Sequence, residues 1–334
     1  MDYSVLGKTG LRVSRLGYGA AGLGNIYTHL DQEGANRSVA MAIEEYGINY
    51  FDIAPSYGTE GLGETRLGIA LEGRRDRAVL STKCGRYDHG VENGQHYEFT
   101  YEPKRTRLEL ENSLRRLKTD YVDIYQLHDF TAAPSLEYLV NETIPVLEKM
   151  RQEGKIRYIG ITSSSLPHLE ALTRMAPGSV DNILTFGVYN LLDTSLVGAL
   201  DDVRRETGVG VVNSSITFLG IITKDSHGAL GIGERNPDFV HTRQKTAEAE
   251  AVCERYGTDL GTLAVKFGLC CEEYADATLV SMCRVVRLRQ NAELYEHRHD
   301  IDPELLKQVL GILKDAKPFS GKPGKGGNRE KEKK

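Results

Sequence analysis

The chain of 334 residues carries only five cysteines, Cys84, Cys253, Cys270, Cys271 and Cys283, and no Cys-x-x-Cys pair. An odd, scattered set of this kind argues against a secreted disulfide framework and a zinc site, and leaves reduced core thiols as the reading. A basic excess is also missing: 42 Lys and Arg stand against 47 Asp and Glu, a formal net charge of -5. Phosphate backbones and anionic membranes are bound through positive stripes, so no nucleic acid and no membrane is expected as a partner. No apolar run reaches the roughly 18 residues of a spanning helix, and MDYSVLGKTG lacks the basic-then-apolar character of a secretory leader. The expectation is a cytoplasmic protein that handles small molecules.

What is present is a repeating pattern on a chain that is 40% hydrophobic, enough for a sizeable core. Tyr3 and Val5 face Leu11 and Val13 across Gly7-Lys8-Thr9-Gly10, a hairpin pattern. Short apolar strands then recur at 15–20, 49–54, 78–83, 121–127, 158–162, 182–187, 210–215 and 278–282. Helically spaced segments alternate with them, for example 31–46 with Val39, Ile43 and Tyr46 on one stripe, and 104–118 with Leu108, Leu110, Leu114 and Leu117. Nearly continuous apolar strands alternating with helices imply a parallel sheet covered on both faces. Eight such units without a mid-chain linker favour a closed barrel over an open sheet.

The predicted fold is therefore α/β, a single (β/α)8 TIM barrel over 1–316 with an N-terminal β-hairpin. Long loops at 84–102 and 216–242 fall on the C-terminal face, where barrel enzymes keep their chemistry. From 317 onward seven Lys or Arg stand against two Glu among Gly and Pro, so 317–334 is expected to be a disordered basic tail.

Gly17-Tyr18-Gly19-Ala20-Ala21-Gly22 fits the dinucleotide pattern G-x-G-x-x-G and follows a strand. The pattern needs a helix N-terminus directly after it to receive a pyrophosphate, and Leu23-Gly24-Asn25-Ile26 does not read as one. Close backbone approach at a barrel mouth is the better use of these glycines.

Three successive strand ends carry the chemistry. The second runs out through Phe51-Asp52-Ile53-Ala54-Pro55-Ser56-Tyr57-Gly58, the third through Ser81-Thr82-Lys83, and the fourth through Gln126-Leu127-His128-Asp129. Consecutive strand ends are neighbours on a barrel rim, so Asp52, Tyr57, Lys83 and His128 can converge. A phenol is a poor base near neutrality unless a cation stabilises its phenolate, which Lys83 would do, with Asp52 keeping the ammonium charged. His128 would donate to a substrate oxygen. Taken singly, a rim tyrosine, a structural Asp-Lys pair and a backbone-satisfied histidine explain them better; four together at corresponding strand ends reverse that balance.

With these residues in view, the sequence resembles the aldo-keto reductase family over nearly all of its length to about position 318. The matching stretches are residues 47–58, Gly63-Glu64-Thr65-Arg66-Leu67-Gly68, Ser81-Thr82-Lys83, Ser113-Leu114-Arg115-Arg116-Leu117 and Tyr121-Val122-Asp123. Within the family, Glu142-Thr143-Ile144-Pro145, residues 152–162, Cys84-Gly85-Arg86-Tyr87 and His128-Asp129 are similar to the sugar dehydrogenases acting on L-galactose, D-arabinose or L-fucose, and to pyridoxal dehydrogenases. The resemblance implies Tyr57 as general acid/base, Lys83 and Asp52 tuning it, His128 orienting substrate, and no metal. It implies NADP or NAD as cofactor and oxidation of an aldose at C1 to a lactone.

The resemblance also places a cofactor along the mouth. Gly19, Ala20, Ala21 and Asp52 approach it, and Thr162 and Ser163 stand where the family's Ser-Asn pair holds the carboxamide. Phe186 and Asn213 replace the usual Gln and stacking aromatic. Ser214 and Gly220 stand near the pyrophosphate, with Met282, Arg284, Arg287, Gln290 and Asn291 at the adenosine end. Arg284 and Arg287 could grip a 2′-phosphate or be ordinary surface arginines. Substrate contacts are expected from Tyr57, Tyr87, His128 and Phe130, with His89, His96, Tyr97, Phe99 and Tyr101 nearby in the third loop. The partner is a small sugar or aldehyde, and the chain a monomer or weak homodimer. Competing readings are a broad NADPH-dependent aldehyde or ketone reductase, a Schiff-base aldolase using Lys83, and a cofactor-binding regulatory protein of low turnover.

Overall fold

The computed structural model describes residues 1–26, 29–88, 97–223 and 237–316. An antiparallel hairpin, β1 (Tyr3–Val5) and β2 (Arg12–Ser14), precedes β3 (Leu16–Gly19), α1 (Gln32–Glu44), β4 (Tyr50–Asp52), α2 (Leu62–Ala70) and β5 (Val79–Cys84). A second hairpin, β6 (Arg86–Asp88) and β7 (Tyr97–Phe99), comes before α3 (Pro103–Leu117) and β8 (Val122–Leu127). A short α4 (Leu136–Tyr138) and a π turn (Leu139–Thr143) lead into α5 (Ile144–Gln152), β9 (Ile156–Ser163) and α6 (Leu166–Met175). Then follow β10 (Asn182–Thr185), α7 (Asp201–Thr207), β11 (Gly210–Ser214), α8 (Pro237–Arg255) and α9 (Leu260–Leu269). The chain continues through β12 (Ala277–Ser281), α10 (Val285–Glu296) and α11 (Pro303–Leu313).

Strands β3, β4, β5, β8, β9, β10, β11 and β12 pair in that order and close back on β3 as a parallel barrel. All eight strands that the alternation predicts belong to it. The segment at 84–102 differs from its expectation as a plain loop: Arg86 pairs with Phe99 and Tyr87 with Glu98 in a two-stranded ribbon. His89, His96, the Tyr97 side chain and the tail 317–334 lie outside the described residues.

Side chains alternate across each strand, and that period of two divides the barrel interior into two storeys. Tyr50, Ile124, Leu184, Val212 and Leu279 pack with Leu6 and Val13 of the first hairpin as an apolar floor. Two residues farther along β4 and β8, the same inner faces carry Asp52 and Gln126. The hairpin plugs the floor closely: a Cβ on Gly7, whose φ is +45°, would stand 2.2 Å from the Gly210 nitrogen.

Around the N-terminal rim one device repeats. Asp123, Asp181 and Asp276 accept the backbone N–H of Leu80, Ile159 and Val211 at 2.9, 3.0 and 2.9 Å. Each also meets an arginine, Arg75 at 2.9 Å, Arg151 at 2.9 Å and Arg204 at 3.0 Å. Burial pushes the Asp181 and Asp276 carboxyls up, while these donors oppose it.

Helix α1 is capped by Asp31, whose carboxylate accepts from the Gly34 N–H at 2.7 Å, and it buries Val39 and Ile43 as expected. In α3 the buried stripe is Thr106, Leu110, Ser113, Leu114 and Leu117. Leu108, expected on that stripe, is 51% exposed. Two residues before Leu110 is about 200° around the axis, the opposite face. All five cysteines are free thiols, four of them buried. No helix among the described residues is long and apolar enough to cross a membrane.

Candidate active site

Asp52 ends β4, Lys83 stands one residue before the end of β5, and His128 follows β8 with its N–H donating to the Cys84 carbonyl at 2.8 Å. Lys83 and Asp52 are 1% and 4% exposed. Charges so buried persist only when paired and hydrogen-bonded, and both are. Lys83 Nζ forms a short ion pair with Asp52 Oδ1 and donates to the Ile53 carbonyl at 2.8 Å. Asp52 Oδ2 accepts from Ser81 Oγ and Gln126 Nε2, each at 2.9 Å.

Tyr57 sits on the turn beyond β4, half-buried, with Lys83 Nζ 5.0 Å from its ring centroid. The His128 ring lies edge-on to it, centroids 6.0 Å apart at 89°. The four residues predicted from three strand ends are thus brought to one point. Burial, and then the positive charges of Arg86 and Lys83, hold the His128 imidazole well below its usual value, so it is neutral near pH 7. Its Nδ1 is buried with no hydrogen-bond partner among the described residues.

Gln126 escaped the sequence reading. Its amide donates to Asp52 and to Ser81 Oγ at 2.5 Å, while its carbonyl accepts from Thr162 Oγ1 at 3.1 Å and Asn182 Nδ2 at 3.4 Å. The available signal was polarity at an inward strand position, two residues beyond the floor residue Ile124.

The glycine-rich stretch holds Tyr57 from the other side. After β3 the chain enters a 3-10 turn, Ala20–Gly24, and the first α-helix begins only at Gln32. A Cβ on Gly24 would stand 2.1 Å from the Tyr57 carbonyl oxygen, and one on Gly58, at φ +89°, 2.5 Å from the Gly24 carbonyl oxygen. Arg66 clamps the turn through Leu23 O at 2.7 Å and Asn25 Oδ1 at 2.8 Å. Close backbone approach is what these glycines permit.

The expected cofactor residues divide. Gly19, Ala20 and Ala21 line the turn just described, and Thr162 and Ser163 close β9, both 3% exposed, with Ser163 Oγ accepting from the Ser165 N–H at 3.0 Å. Phe186 is 38% exposed at the end of β10. Ser214 donates to the Thr185 carbonyl at 2.7 Å, and Gly220 adopts φ +85° in the turn after β11. Asn213 is a correction: it is fully buried and points out of the barrel toward α9, with Nδ2 3.5 Å from the Gly268 carbonyl. The neighbouring Val212 takes the inward position, so period-two alternation denies Asn213 the mouth.

Met282 is fully buried, and Asn291 donates to the Ser281 carbonyl at 3.2 Å. Arg284, Arg287 and Gln290, at the start of α10, border a cleft of about 520 Å³ with Leu30, Gly34 and Arg37 from the α1 side. Arg37 carried no sequence signal, because only the packing of α1 on α10 brings it there. Three guanidiniums around a cleft, an exposed aromatic at a strand end and a neutral imidazole in the mouth together suit an extended dinucleotide.

The expected substrate residues Tyr87 and Phe130 are 4% and 0% exposed. They are wall, not lining: Tyr87 Oη accepts from the Gly85 N–H at 3.0 Å, and burial pushes its phenol far up. Tyr101 donates to the His128 carbonyl at 2.6 Å. Phe99 is half-buried beneath Arg86.

Comparison with known proteins bears on the family and the fold. Residues 15–311 match the aldo/keto reductase family. The chain is 34% identical to an L-galactose dehydrogenase of Arabidopsis thaliana over 97% of this chain and 98% of that one. It is 31% identical to a D-threo-aldose 1-dehydrogenase of a Pseudomonas species, over 85% and 90%. Among solved structures, the holo form of an aldo-keto reductase from Bacillus halodurans superposes with a TM-score of 0.72 at 25% identity, covering 96% of this chain and 99% of that one.

Proposed function

Because the chain belongs to the aldo/keto reductase family and is a nicotinamide-dependent oxidoreductase, we propose that it oxidises an aldose at C1 to the lactone. The observation that carries the reading is the convergence of the Asp52-Lys83 pair, the Tyr57 ring and neutral His128 at one rim. Likeness to two aldose dehydrogenases supports the substrate class.

When bound, the nicotinamide supplies the acceptor for the C1 hydride. The protein's own part is proton handling and alignment. Lys83, anchored by Asp52 and the Ile53 carbonyl, keeps an ammonium beside the Tyr57 ring and favours its phenolate. Tyr57 then takes the proton of the C1 hydroxyl. Neutral His128 donates its one N–H to the same oxygen and fixes the C1 hydrogen in line for transfer. The same groups act in reverse on an aldehyde, with Tyr57 giving the proton back.

Arg37, Arg284 and Arg287 around the α10 cleft support NADP over NAD, since a guanidinium pairs bidentately with a charged 2′-phosphate and gains less from a neutral ribose hydroxyl. Steady-state rates with NAD and NADP across L-galactose, L-fucose, D-arabinose, pyridoxal and simple aldehydes test the reading. Saturable oxidation of at least one aldose, with lactone as product, is expected. Turnover of simple aldehydes with no aldose oxidised would overturn the aldose assignment.

A further inference from the structure

Arg86 opens β6 and Asp129 directly follows His128, and their side chains meet at the barrel mouth with Nη1 and Oδ2 2.7 Å apart. Both remain open to solvent, at 23% and 29% of their side-chain surface. Asp129 has φ +48°, a left-handed conformation uncommon for a residue with a Cβ, and it is held there. The constraint is Tyr101, 2% exposed, whose hydroxyl lies 2.6 Å from the His128 carbonyl and 2.8 Å from that of Asp129. Gly85, at φ +97°, leaves room for that ring, since a Cβ there would stand 2.1 Å from it.

Three features make this pair more than a tie between loop and strand. It adjoins the histidine that meets the reacting oxygen. The Arg86 charge is felt there, being the largest influence on His128 after burial. Moreover the aromatic neighbours Tyr87 and Phe130 are packed into the wall, so among the described residues the solvent-open charged groups next to His128 are a carboxylate and a guanidinium. A carboxylate accepts from two vicinal hydroxyls at once, and a guanidinium donates in a fixed fork to their oxygens. An unsubstituted aldehyde offers neither.

We propose that Arg86 and Asp129 read the hydroxyl groups of the substrate beyond its reacting carbon, Asp129 accepting from neighbouring hydroxyls while Arg86 donates to their oxygens. This rests on the aldose reading above. The test compares kcat and KM for the aldose best oxidised by the unaltered protein with those for propionaldehyde reduction, in Asp129→Asn and Arg86→Gln variants. NAD(P)H fluorescence titration and thermal melts accompany each.

The expected result is a loss of about 10- to 100-fold in aldose kcat/KM, carried mainly by KM and at least about 10-fold larger than the loss on propionaldehyde. Asp129→Glu, which keeps the charge, should recover part of it. Equal losses on both substrates, or none on the aldose, overturn the proposal and leave the pair a structural tie. Two partners are altered independently, so misfolding of one variant leaves the other to decide. If the unaltered protein oxidises no aldose, the aldose reading and this proposal fall together; if it does and the variants keep their discrimination, this proposal falls alone.

Discussion

Gln126 donates its side-chain N–H to Asp52 Oδ2 at 2.9 Å while its carbonyl accepts from Thr162 Oγ1 at 3.1 Å. One amide thus runs inside the barrel from the ion pair behind Tyr57 to the end of β9, where the carboxamide contact is expected. Fully buried amides matter through what their loss leaves unpaired. Gln126→Leu strands the Thr162 hydroxyl and the Asn182 amide and should lower stability by about 2 kcal/mol. Urea melts check this, and an unchanged midpoint with unchanged slope counts against the network.

Tyr57→Phe removes one hydroxyl from a half-buried ring. Turnover should fall by about 10³-fold or more, on the scale of a general acid/base. Cofactor affinity, followed by fluorescence quenching, should stay within about twofold, because only the proton-carrying oxygen is lost. Retained turnover would mean that another group moves the proton.

His128 is held neutral, its folded-state value lying well below 6.5 because of burial and then the Arg86 and Lys83 charges. The unfolded chain therefore binds this proton more readily than the folded one. Stability contributed by the neutral ring is complete above about pH 6.5 and is lost as pH falls toward the lower folded value. His128→Gln should flatten stability against pH below that point. Parallel curves for the two proteins between pH 5 and pH 7, on the order of the histidine range, would contradict the assignment.

Gly24→Ala places a methyl group 2.1 Å from the Tyr57 carbonyl oxygen, so the 3-10 turn or the Tyr57 loop must move. A loss of about 1–3 kcal/mol in stability is expected, as for other overpacked sites. Because the displaced loop carries Tyr57, kcat should fall more than KM rises. Wild-type stability and kcat in this variant would show that the two loops are loosely joined.

Arg284 and Arg287 border the α10 cleft. The double variant Arg284→Ala/Arg287→Ala should raise KM for NADP about 10-fold or more while leaving NAD within about twofold. Equal effects on both cofactors would remove the 2′-phosphate from this cleft.

Sequence patterning was informative where period and position coincide. Eight apolar stretches separated by helical spacing favour a closed barrel over an open sheet, and in a barrel the strand ends bring Asp52, Lys83 and His128 to one rim. It was weakest where a side chain must choose between two faces. Asn213 read as a mouth residue and turned outward, and Leu108 read as core and lies in solvent, because a shift of one or two residues changes the face. Tyr87 and Phe130 read as pocket and became wall, since composition does not say which aromatics beyond a strand end pack inward.

By itself, then, the sequence pointed to the barrel through local periodicity, to the family through the motifs it resembles, and to four candidate residues at or just beyond the strand ends. Only the tertiary structure decided that Gln126 joins Asp52 to Thr162, that Gly24 supports Tyr57, that Arg37 joins the α10 cleft and that Arg86 meets Asp129. These contacts link distant parts of the chain, or in the last case bring Arg86 from one strand end to Asp129 beyond another. Barrel closure, helix packing and the folding back of the β6–β7 ribbon set their distances, and no periodicity along the chain encodes those.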